Sequence, residues 1–131
     1  MPRHLRIRPG ICAAAVVAAT IAASAPAAVA ATSYTRCRSA DLRYPFQPGG
    51  PNDFGVFRLK IAGGGCTTAH RVAKKWMHRF EANLSNGHVR LPRSVEGFAF
   101  RSLPPNEAQT YRLRGRRNTT TIHFSYRVPN G

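Results

Sequence analysis

From residue 56 onward the chain switches between two hydrophobic rhythms. Phe57, Leu59 and Ile61 alternate with Arg58 and Lys60, which predicts a half-buried strand over 56–61. Gly63-Gly64-Gly65 ends it. Ala69, Val72, Ala73, Trp76, Met77 and Phe80 then recur at the spacing of one apolar helix face. Thr67 or Gly65 can cap the start of this helix, and Ser85-Asn86-Gly87 can stop it. Arg71, Lys74, Lys75, His78 and Arg79 occupy its other side. Trp76 lies mid-stripe and is expected to anchor the core.

After a polar loop over 86–96, period two returns in three runs. Phe98 and Phe100 alternate with Ala99 and Arg101; Tyr111 and Leu113 alternate with Thr110, Arg112 and Arg114. Thr120, Ile122, Phe124, Tyr126 and Val128 alternate with Thr121, His123, Ser125 and Arg127. Turns are expected at Pro104-Pro105-Asn106 and at Gly115-Arg116-Arg117-Asn118. The reading is an α+β domain over 56–131: one amphipathic helix packed on a small antiparallel sheet that joins the 56–61 strand to the 97–128 meander. The sheet face away from the helix would then carry Arg101, Arg112, Arg114, His123 and Arg127, with Arg116 and Arg117 in the adjoining loop.

Upstream, residues 31–55 are repeatedly broken by Pro45, Pro48, Gly49, Gly50, Pro51 and Gly55. They read as an N-terminal arm docked through Tyr44, Phe46 and Phe54. Residues 1–30 have a different character. Arg3, Arg6 and Arg8 precede an apolar run from Ile11 to Ala23, and small residues end in Ala28-Val29-Ala30. This is the pattern of a secretory signal peptide cleaved after Ala30, with an uncleaved anchor as the alternative. The run is short for a span, which needs about 20 apolar residues. The expected product is secreted or extracytoplasmic.

Export changes how the cysteines and charges read. Cys12 leaves with the signal, and Cys37 and Cys66 remain. A lone exported pair in a small domain is expected to form a disulfide that pins the arm. In the chain-entropy picture, closing this loop is worth roughly 3–4 kcal/mol. The full chain carries a net charge of +15; beyond Ala30, 17 lysines and arginines face five acids, Asp41, Asp53, Glu81, Glu96 and Glu107, which leaves +12. Such an excess suits a polyanionic partner, either a cell-wall polymer, nucleic acid or acidic lipid. Solubility alone would also account for it.

Guanidinium groups pair well with phosphate and carboxylate oxygens, so the arginine-bearing sheet face is the candidate site: Arg101, Arg112, Arg114, Arg116, Arg117, His123 and Arg127. Catalytic signatures are missing. No G-x-S-x-G, H-E-x-x-H or P-loop occurs, and Gly63-Gly64-Gly65 lacks the spacing of a phosphate loop. His70 and His78 stand about two helical turns apart, too far to share a metal. No cofactor or metal is expected. Glu96 or Glu107 with His123 and Arg112 could serve general acid–base chemistry of the ribonuclease type if they converged.

Cys66-Thr67-Thr68-Ala69-His70-Arg71-Val72-Ala73 resembles the C-x-x-A-x-x-V-A helix start of a group of small secreted actinobacterial proteins of unknown function. Those have an upstream cysteine in the role of Cys37 and a C-terminal strand region like 97–128. Many carry a second cysteine pair there, where this chain has Phe100 and Gly115. The resemblance implies an exported, disulfide-stapled domain and supplies no activity. The functional expectation is a non-catalytic module for an anionic partner in or outside the envelope. A small secreted hydrolase is one alternative. A protein-interaction or inhibitor module that makes contact through residues 43–55 is another.

Overall fold

A computed structural model of the 131-residue chain describes residues 10, 13–22 and 32–128, apart from the side chains of Pro105 and Asn106. The chain divides into two units, Met1–Ala30 and Ala31–Gly131. In the first, residues 13–22 are exposed and without regular structure. The charged start of the expected signal and its cleavage site lie outside the described residues. Among the described residues no helix is long and apolar enough to cross a membrane.

The second unit is the expected α+β domain. Its strands are β1 (Thr35–Arg36), β2 (Arg43–Tyr44), β3 (Phe54–Ala62), β4 (Ser94–Val95), β5 (Phe98–Glu107), β6 (Thr110–Arg117) and β7 (Thr120–Arg127), with one helix, α1 (Cys66–Ser85), after β3. They form one sheet in the order β1-β3-β7-β6-β5-β4, with β2 also on β3. Every pairing is antiparallel.

α1 starts at Gly65 and stops at Asn86, where Gly87 takes φ 77° and its N–H bonds the Leu84 carbonyl. Its buried side is the stripe Ala69, Val72, Ala73, Trp76, Met77 and Phe80. Trp76 is fully buried, stacked with Phe80 at 5.2 Å and edge-on to Phe124 and Tyr126 at 5.3 and 5.4 Å. Its indole N–H donates to the Pro92 carbonyl, which ties the 86–93 loop to the core. Tyr126 is buried beside it, and its hydroxyl donates to Glu81. The Cys37–Cys66 disulfide joins the segment after β1 to the first residue of α1, with Cα atoms 5.3 Å apart.

Four local expectations are corrected. First, 31–55 is more than an arm: β1 and β2 extend the sheet along β3, Leu42 is buried, and β3 begins at Phe54. Second, Phe57 does not share a face with Leu59 and Ile61. A bulge between Phe57 and Lys60 inserts Arg58 at φ 54°, and one extra residue turns Phe57 to the Lys60 side. Third, Pro104 and Pro105 do not form the turn. β5 carries them as an irregularity, fitting for residues with no N–H to give the ladder, and the chain reverses at Ala108-Gln109. Fourth, Gly115 lies inside β6, and the reversal there is the two-residue turn Asn118-Thr119.

Gly115 is glycine because Phe100, its register partner, lies over it: a Cβ would stand 2.5 Å from Phe100 Cε1. That ring is held by Trp76 and Phe124. Gly115→Ala is therefore expected to cost about 1–3 kcal/mol by overpacking. In a Phe100→Ala background the loss should shrink toward zero in a double-mutant cycle followed by urea unfolding.

Candidate functional site

With α1 covering one face of the sheet, the other is left to solvent, and strand register decides which side chains meet there. Arg101 faces Arg114, Arg114 faces His123, His123 faces Lys60, and Lys60 faces Arg36. A transverse row of basic side chains thus crosses β5, β6, β7, β3 and β1. At an interstrand spacing of about 4.8 Å it spans roughly 19 Å. The neighbouring row runs Leu103, Arg112, Ser125 and Phe57. Arg116 follows on the far side of the first row, and Arg127 pairs with Thr110 and Gly55 at the other end.

Six of the seven sequence-derived positions, Arg101, Arg112, Arg114, Arg116, His123 and Arg127, therefore share one face. Arg117 does not join them. It points to the helix side, where its guanidinium lies 4.3 Å over the Phe98 ring and donates to the Glu96 carbonyl. Two participants escaped the sequence reading. Arg36 and Tyr34 reach the face because β1 pairs with β3. Arg58 and Lys60 were legible as outward-facing, but the place of Lys60 beside His123 required knowing that β3 pairs with β7.

His123 sits at the centre. Its Nε2 and the Tyr34 hydroxyl are hydrogen-bonded at 3.1 Å, with the rings edge-on at 5.1 Å. Lys60 Nζ lies 4.8 Å over the Tyr34 ring. Partial burial, and then the charges of Lys60, Arg114 and Arg112, push the imidazole below its usual 6.5, so the neutral form is favoured. The guanidinium groups of Arg43 and Arg127 lie 4.4 and 4.9 Å from the centre of the Phe57 ring. A cavity of about 140 Å³ opens on this face among Arg58, Lys60, Leu103, Arg112, His123 and Ser125.

Three of the five acids are engaged on the helix side. Asp41 pairs with His70 at 2.6 Å, and Glu96 with Lys75 and Arg71 at 2.7 and 3.0 Å. The hydrogen bond with His70 holds the Asp41 carboxyl below its ordinary range, and those from Lys75 and Arg71 do the same for Glu96. Glu81 accepts from Tyr126. Glu107, placed by register at the end of the basic face, has Thr110 between it and Arg127. Among the described residues, no ion pair involves a cation of this face.

The acid–base trio is not brought together. Glu96 is committed on the helix side, and Glu107 is two strands away from His123 and four residues along, roughly 13 Å by strand rise alone. The segment 45–53 forms a separate exposed loop in which Phe46 is 61 % exposed and packs edge-on against Phe54.

No family model matches the chain, and comparisons with curated proteins and with solved structures give no match.

The depressed His123 has a measurable sign. The unfolded chain binds this proton more tightly than the folded one, so stability rises with pH across the interval. The contribution is complete above 6.5 and is lost as pH falls from there through the folded value. His123→Gln should flatten the unfolding free energy between about pH 7 and pH 5. Imidazole NMR of the unsubstituted protein should show a titration midpoint below 6.5.

Proposed function

We propose that this protein is an exported, non-catalytic module that binds a phosphodiester polymer along the basic sheet face. The observation that carries the reading is the row Arg36, Lys60, His123, Arg114 and Arg101, which crosses five strands without an acidic partner. Guanidinium and ammonium groups in this arrangement meet successive phosphates and release their counterions. Phe57 has Arg43 and Arg127 against its ring, and Tyr34 is engaged with His123 and Lys60. The outward aromatic rings are already paired with cations, which favours recognition of the polymer backbone over stacking of bases. A wall polymer of glycerol phosphate and a single-stranded nucleic acid present the same chemistry to it. Export is supported by the leader-like pattern of residues 1–30 and by the Cys37–Cys66 disulfide, which suits an oxidising compartment.

Fluorescence anisotropy with labelled poly(glycerol phosphate) and with single-stranded RNA of about 20 nucleotides tests this, using chains of similar phosphate count. Both should bind with similar affinity. Four or five contacts on a single-stranded chain give a salt slope of about −3, so affinity should fall about 60-fold between 50 and 200 mM salt. Arg101→Ala with Arg114→Ala should lower the slope by about 1.4, and the RNA should be recovered uncut. Absence of binding at low salt, or binding indifferent to salt, overturns the reading. Cut RNA would make the protein a nuclease.

A further inference from the structure

The bulge in β3 lies beside the outer cavity. Counted from the buried Leu59 and Ile61, Arg58 and Lys60 both face outward, and the extra residue brings Phe57 to that side as well. Arg58 is exposed on the rim of the cavity, at the bulge itself. Holding a non-glycine residue at φ 54° is unfavourable for the backbone, and such strain tends to sit where a side chain must be aimed. Ser39 and Arg43 both donate to the Val56 carbonyl just before the bulge, at 3.0 and 3.1 Å, which fixes the backbone there.

We infer that this cavity is a discrete pocket for one dianionic phosphate group, either a phosphomonoester at a chain end or free inorganic phosphate. The inference rests on the polymer-binding reading and places a terminal phosphate within that face. At about 140 Å³ the pocket equals four to five water volumes, room for one tetrahedral oxyanion with a little water. It is well below the roughly 300–1,000 Å³ of sites that enclose a drug-sized organic ligand, so a sugar or base stays outside. Three fixed cations, Arg58, Lys60 and Arg112, line it without a carboxylate, and this favours a dianion over a monoanion. Arg112 donates one N–H to the Pro104 carbonyl at 3.2 Å, which orients the guanidinium and leaves its other donors for the ligand. The Ser125 hydroxyl supplies a neutral donor. His123, faced by Lys60 from β3, Arg112 and Arg114 from β6 and Tyr34 from the segment before β1, lies at the wall and reports occupancy.

The test titrates the purified protein with sodium phosphate while following the His123 imidazole by NMR. In parallel, RNA binding is compared with and without a 5′-terminal phosphate. Phosphate should raise the His123 midpoint, and the 5′-phosphate should strengthen RNA binding about tenfold, the equivalent of one charge-assisted hydrogen bond. Arg58→Gly keeps the bulge, since glycine adopts positive φ freely, and should abolish both effects while the folded NMR spectrum is retained. Ser125→Ala should weaken both without changing the charge. If the midpoint stays put and the 5′-phosphate adds nothing while both polymers still bind, the pocket is overturned and the polymer reading stands. If phosphate moves His123 but neither polymer binds, the pocket stands and the polymer reading falls. Effects unchanged in Arg58→Gly also overturn the pocket.

Discussion

Everything in this domain follows from one helix covering one face of one sheet. Trp76 is the contact that fixes the arrangement: it stacks on Phe80 within α1 and meets Phe124 and Tyr126 of β7 edge-on. Trp76, Tyr126 and Phe80 are among the largest fully buried side chains of the domain, and buried aromatic rings dominate core energetics. No second α-helix lies among the described residues to cover the other face, so that face must be polar. Its composition is therefore set by solubility and by what it meets, and only weakly by packing.

The distribution of charge is more specific than solubility requires. Asp41, Glu81 and Glu96 are engaged on the helix side, by His70, by Tyr126 and by Lys75 with Arg71. The outward rows hold arginine beside arginine instead. Arg101 directly opposes Arg114, an arrangement that weakens a sheet relative to neutral or oppositely charged pairs. A mixed surface would keep the chain equally soluble at lower internal cost.

The helix was legible to the residue in its buried stripe, because a spacing of 3.6 along one segment contains all the information needed to orient it. The α+β class and the disulfide were legible too. What failed required a second strand to be known. An inserted residue leaves no mark in an alternating pattern, so Phe57 looked like a core partner of Leu59 until β7 fixed the register. Gly115 carried a turn signal, and only the Phe100 ring above it explains a glycine within a strand. Arg117 was separated from Arg116 by a strand that runs three residues further than its composition suggested, and it went to the opposite face with the change of parity. Arg36 and Tyr34 lay in a segment broken by prolines and glycines, where two-residue strands give no periodic signal.

His123 connects the electrostatics to function. Its protonation is opposed by burial and by the cations around it, so the imidazole is a local measure of a field that the fold sustains without compensation from any carboxylate nearby. Folding alone does not call for such a field, since like charges held together oppose the compact state. The same field lowers the free energy of any anion that enters, and it does so most where Arg58, Lys60 and Arg112 converge. Arg58 stands there at the β3 bulge, on a backbone position of positive φ. A strained backbone position and uncompensated repulsion at the same point are each unfavourable for the isolated domain, and binding a phosphate there would offset the repulsion.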